Sequence, residues 1–187
     1  AIPYATPSFA AALRALVQWY RSGEDSDRTA FDIAWVKATD TPVDTMNGFI
    51  EVYMDARGIK GAWEGLVYYV NVEKTSRIQR LAEHAQWFED RMPIEPAYRK
   101  PVVLGVTATA IDVVVEAGDS GPVTPIGVNL PNDQRIREEY GSKSVSLTNV
   151  TEAYEKSTTD DFRHEFTWDE AEFTRAKRWG AFAGELT

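Results

Sequence analysis

The order of patterns along the chain predicts an α+β fold with an antiparallel sheet. Two helical stretches come first, then a two-stranded hairpin, one long helix, further strands and closing helices. A parallel sheet would need strand and helix to alternate regularly, and they do not. The apolar period also changes at Val43, from helical spacing to runs of β-branched and aromatic residues.

The elements follow in order. Ser8 precedes FAAALRALVQWYRSG, where Phe9, Leu13, Leu16, Val17 and Tyr20 recur at helical spacing and Gly23 supplies a stop. SGEDSD reads as a connector and TAFDIAWVKA as a short second helix, which Thr41-Pro42 ends. TMNGFIEVYMD and AWEGLVYYVN, separated by the turn-like ARGIKG, read as an antiparallel hairpin. Alternation puts Phe49, Glu51 and Tyr53 on one face of the first strand.

VEKTSRIQRLAEHAQWFEDRM is the strongest helical pattern, with Ile78, Leu81, Ala85 and Phe88 as its buried stripe, and Pro93 and Pro96 end it. PVVLGV and AIDVVVEAG are predicted strands, GDSGP a turn, and PIGVNLPN a short strand running into a loop. DQRIREEYG and TNVTEAYEKS read as short helices. DEAEFTRAKRWGAFAGEL reads as a last amphipathic helix carrying Phe173, Trp179 and Phe182.

Composition narrows the functions. The 187 residues are 43% hydrophobic, and six tryptophans, eight tyrosines and eight phenylalanines are ample for a core. The net charge of −9 argues against a general nucleic-acid surface, because phosphate binding needs surplus Lys and Arg. Without cysteine there are no disulfides, thiolate zinc sites or cysteine nucleophile. No apolar run approaches the roughly 18 residues of a membrane span. AIPYATPSF has no basic n-region and is not a signal peptide, and without an initiator Met a processed or cut chain is expected.

Few motifs carry chemistry. His164-Glu165 begins like a zinc HExxH motif, but Trp168 stands where the second histidine should be. His84 is the only other histidine, and both read as surface or packing residues. There is no GxSxG elbow and no phosphate loop. Two polar clusters remain. Glu51 and Tyr53, with Glu64 of the partner strand near, would suit an ammonium: the carboxylate supplies a charge-assisted bond and the phenol a donor. The same residues could equally be the solvated face of a sheet. Asn129 and Asn132 could pair with a peptide backbone, held in a set relation by Pro131, or could be ordinary turn chemistry.

GFIEVY, WEGLVYYVN, GVNLPN and SKSVSLTNV, in this order, resemble stretches of the dipeptidyl peptidase III family of zinc exopeptidases. There they read close to GFIExY, FEGFVxxVN, GINIPN and KNVSLGNV. The resemblance covers roughly Met46 to Val150, with weaker similarity in the flanking helices. Four short motifs in order are far more specific than one. The resemblance implies a helical upper lobe, a lower lobe built on a β-barrel and peptide bound between them. It makes Glu51, Asn129 and Asn132 ligands of a peptide's N-terminal amine, and Tyr53 a catalytic donor to the scissile carbonyl. Glu64 would support them. Such a clamp fixes the distance from the amine to the cleaved bond and acts as a ruler for dipeptides.

The chain departs from that family in lacking HExxGH and the later glutamate ligand. It is therefore expected to be an inactive, substrate-binding segment of a zinc peptidase, with no metal of its own and zinc in the parent. Residues 1–72 would hold helices and a barrel hairpin, and 73–100 a helical excursion towards the upper lobe. Residues 101–157 would hold the remaining strands and the Asn-Pro loop, and 158–187 a helix leading to the absent zinc site. The expected partners are a peptide with a free N-terminus and the remaining catalytic lobe, with no nucleic acid or membrane. Exposure of Phe173, Trp179 and Phe182 would favour self-association. The expected location is cytoplasmic. A stand-alone binding or scaffolding module, or a homologue that has lost peptidase activity, are the alternatives.

Overall fold

A computed structural model describes residues 2–103, 108–122, 124–157 and 167–176. Thr6 opens the first helix, α1 (Pro7–Ser22), by accepting the Phe9 N–H, and Pro7 takes the first-turn position, where no donor is missed. Gly23 ends it in the left-handed region, φ 70°, with its N–H on the Trp19 carbonyl at 2.8 Å. Asp25 and Asp27 in the first turn suit the start of α2 (Asp25–Lys37). The two helices pack together and bury Phe9, Leu16 and Trp19 from one and Phe31, Trp35 and Val36 from the other.

That layer covers one face of a five-stranded sheet. Its strands are β1 (Val43–Phe49), β2 (Trp63–Val70), β3 (Thr109–Gly118), β4 (Gly127–Leu130) and β5 (Lys143–Leu147). The order is β1-β2-β3-β5-β4. Burial alternates as a half-covered sheet requires: Asp44, Met46, Leu66 and Tyr68 point into the core, while Val43, Phe49, Val67 and Tyr69 stay exposed.

Two expectations need correction. The sheet is mixed, not antiparallel: β3 and β5 run parallel, whereas the other pairs are antiparallel. The chain leaves β3, forms β4 at the far edge, and returns through α5 (Gln134–Tyr140) to insert β5 between them. Among the described residues there is also no closed barrel. β1 and β4 remain edges with no ladder between them.

The long helix is broken as well. α3 (Val72–Glu83) starts on an Asn71 cap that accepts the Lys74 N–H at 3.0 Å, and α4 (Ala85–Glu89) follows after His84. His84 adopts φ −103°, ψ 9°, its N–H turns to Leu81, and its Nδ1 lies 2.8 Å from the Arg80 carbonyl. This side chain competes with the helix ladder for its own carbonyls. Of the expected stripe Ile78 is buried, Leu81 and Ala85 are half-buried, and Phe88 is exposed.

α6 (Thr148–Ser157) follows β5, and residues 170–176 are helical. Phe173 is only 7% exposed, against the expectation that it would offer an apolar surface. Trp179 and Phe182 lie outside the described residues.

One buried polar network holds the layers in register. Asp44 of β1 accepts from Trp35 Nε1 and Tyr68 O–H, both at 3.1 Å, and from Lys143 Nζ at 2.7 Å. Lys143 also donates to the Ala38 carbonyl at 2.8 Å and lies 4.5 Å over the Trp35 ring. Burial pushes the Lys143 ammonium below its ordinary pKa, and burial beside Asp44 raises the Tyr68 phenol well above its own. A single carboxylate thus joins α2, β1, β2 and the start of β5.

Candidate functional site

β1 stops where α1 presses on it. Gly48 has φ 152°, and a Cβ there would lie 2.9 Å from the Trp19 ring. The strand therefore ends at Phe49, so Glu51 and Tyr53 stand in the β1–β2 connection and not on the expected strand face. The residue before β2 still holds this stretch: the Ala62 N–H donates to the Glu51 carbonyl at 3.2 Å.

From the opposite edge, β4 ends at Leu130 and leads through a cis Leu130–Pro131 peptide to Asn132. Asp133 then caps α5 by accepting the Arg135 N–H at 2.9 Å. The two edges meet here. Asn132 Nδ2 donates to Glu51 Oε1 at 3.2 Å.

Tyr53 is 80% exposed, and the neighbouring Glu51 charge is the main cause of the phenol's raised pKa. Half-buried Glu64 is also raised, first by desolvation and then by repulsion from Glu51 and Asp119. Glu51, Tyr53, Glu64 and Asn132 are thus brought together. Asn129 is exposed on β4 opposite Ser144 and stands outside this set of contacts. A raised Glu64 beside the Glu51 carboxylate makes a site favouring a cation, and the amide carbonyl and phenol add neutral partners.

Sequence reasoning passed over a second group beneath the cluster. Arg28 Nη1 donates to the Phe49 carbonyl at 2.7 Å, its Nε lies 3.5 Å from Asp32, and its guanidinium sits 4.8 Å over the Trp19 ring. Arg28 and Asp32 stand four apart on α2, the one signal that could have paired them. Burial raises the Asp32 pKa against the opposing pull of Arg28. A small, open cavity lies between these residues, Ile50 and Pro131, with Phe31 and Trp35 as its apolar wall.

The described residues do not fit a metal ion, since no group of three His, Asp or Glu side chains gathers among them. His84 is spent at the helix break, and His164 lies outside the described residues. No helix among the described residues is long and apolar enough to cross a membrane.

Fold and cluster together define an α+β protein that presents an acidic, amide-flanked cleft where two sheet edges converge. The chain belongs to peptidase family M49, whose model matches residues 4–179. It is 32% identical to "Dipeptidyl peptidase 3" of Dictyostelium discoideum over 154 residues, 82% of this chain and 22% of that relative. It is 35% identical to "Dipeptidyl peptidase 3" of Rattus norvegicus over 116 residues, 62% of this chain and 15% of that one. A solved structure of DPP III from Caldithrix abyssi superposes with a TM-score of 0.71 at 27% identity, covering 80% of this chain and 29% of that one. The chain therefore spans about a fifth of the length of the curated relatives it matches.

Proposed function

We propose that this chain is the substrate-holding part of a dipeptidyl peptidase III-like zinc exopeptidase, and that its cluster binds the free N-terminal amine of a peptide. The observation carrying this reading is the Asn132–Glu51 contact at 3.2 Å, made beside a second carboxylate, Glu64. A peptide ammonium has three donors. Glu51 offers it a charge-assisted bond, and the Asn132 carbonyl, with Asn129 further along β4, offers a neutral one. Tyr53, exposed beside Glu51, would donate to a peptide carbonyl. Fixing the amine fixes which peptide bond lies at a set distance from it.

The described residues gather no zinc site; in this reading the chain holds and orients peptide, and a companion lobe would supply the metal. A second reading is a binding module without peptidase activity built on the same cluster. Calorimetric titration with a short peptide, free and N-acetylated, tests the clamp under either reading. Preference for the free amine is expected, and equal affinity would remove the proposal.

A further inference from the structure

We propose that Arg28 is a positioning residue for this clamp, setting the place of the Glu51 carboxylate through the Phe49 carbonyl; the inference rests on the amine-binding reading above. Arg28 grips β1 at its last residue, two before Glu51, at 2.7 Å. The guanidinium is itself held on two sides, by the Asp32 carboxylate at 3.5 Å and the Trp19 ring at 4.8 Å. Trp19 is fixed in turn, stacked on Phe31 with a 12° interplanar angle and pressed against Gly48, where no Cβ would fit.

The same helix turn reaches the other half of the clamp. Asp32 lies close enough to Asp133 for their charges to interact, and Asp133 directly follows Asn132. α2 packs on α5, the helix that Asp133 caps. The cavity wall runs from Arg28 and Asp32 to Ile50 and Pro131, the residues immediately before Glu51 and Asn132. One face of α2 therefore braces both edges, and the separation of the two amine ligands depends on it.

Arginine suits this task because its planar fork can donate to a carbonyl and a carboxylate at once, in fixed directions. A lysine ammonium at the same place lacks that preset geometry.

The test measures the affinities of one tetrapeptide, free and N-acetylated, for the unsubstituted chain, Arg28→Met and Arg28→Lys, alongside thermal unfolding. Methionine keeps an apolar stem over Trp19. Arg28→Met is expected to lower the free-amine affinity about tenfold, as loss of one charge-assisted contact implies, and to leave the acetylated peptide unchanged. Arg28→Lys should fall between the two. An unchanged ratio of the two affinities in Arg28→Met, whatever its melting temperature, would overturn the inference while leaving the clamp intact. If Arg28→Met does not fold, the same ratio in Arg28→Lys decides. Lack of amine preference in the unsubstituted chain would instead remove the clamp reading, and the role of Arg28 with it.

Discussion

Asn132 Nδ2 lies 3.2 Å from Glu51 Oε1, joining residues 81 apart in sequence. The contact spans the only approach of β1's end to β4's end that the polar contacts among the described residues show. Glu51→Gln should weaken binding of a free-amine peptide by about tenfold or more, because the charged partner is lost. Asn132→Ala should weaken it less. Because Asn132 is exposed, its removal should move stability by no more than about 0.5 kcal/mol, read by urea unfolding.

Glu64 gives the site a pH dependence. Its folded pKa is raised by burial and by Glu51, so the folded state holds its proton more readily than the unfolded chain. The associated stability is fully present below the ordinary glutamate pKa and is lost as pH rises through the raised folded value. Glu64→Gln should therefore unfold with a flatter acid profile and be no less stable at neutral pH. Ammonium binding runs the other way. It should weaken as pH falls through the raised Glu64 value, and the substitution should move that midpoint down.

The Asp44–Lys143 pair, 2.7 Å apart with side chains 5% and 15% exposed, should behave as a buried pair. Lys143→Met leaves Asp44 with only neutral donors and should cost about 3–5 kcal/mol in denaturant unfolding. Replacing both residues by apolar ones of similar volume should cost markedly less. If the double substitution were the worse of the two, burial of an unmatched charge would not be the cause.

Gly118→Ala should be among the most damaging small changes in the chain. Gly118 has φ 66° and pairs with Glu64, and a Cβ there would lie 2.1 Å from the Trp63 carbonyl oxygen. Backbone must move, so a loss of about 3 kcal/mol or more is expected, with altered Glu64 titration by NMR. Gly23→Ala, where the backbone is also left-handed but nothing lies within 4 Å, should cost less.

Helices α1 and α2 and the hairpin were legible because local signals agreed: helical apolar spacing, a Gly23 stop and β-rich runs around a turn, although Thr6 and not Ser8 caps α1. The residues of the proposed clamp stood out in the sequence only through ordered short motifs. The parallel β3–β5 pair was hidden, since it depends on where a returning strand inserts, which no local pattern records. The helix break at His84 came from one side chain competing for a carbonyl inside an otherwise helical pattern. Arg28 and Asp32 offered no signal in sequence beyond their spacing of four, and only the Phe49 carbonyl's approach to Arg28 in space sets them beside the cluster.

The most direct test of the central claim is a crystal structure of this chain with a short free-amine peptide bound. The account predicts the peptide's ammonium nitrogen within about 3.2 Å of the Glu51 carboxylate, with the Asn132 amide turned to meet it. A peptide whose amine faces solvent, or which lies away from Glu51 and Asn132, would contradict it.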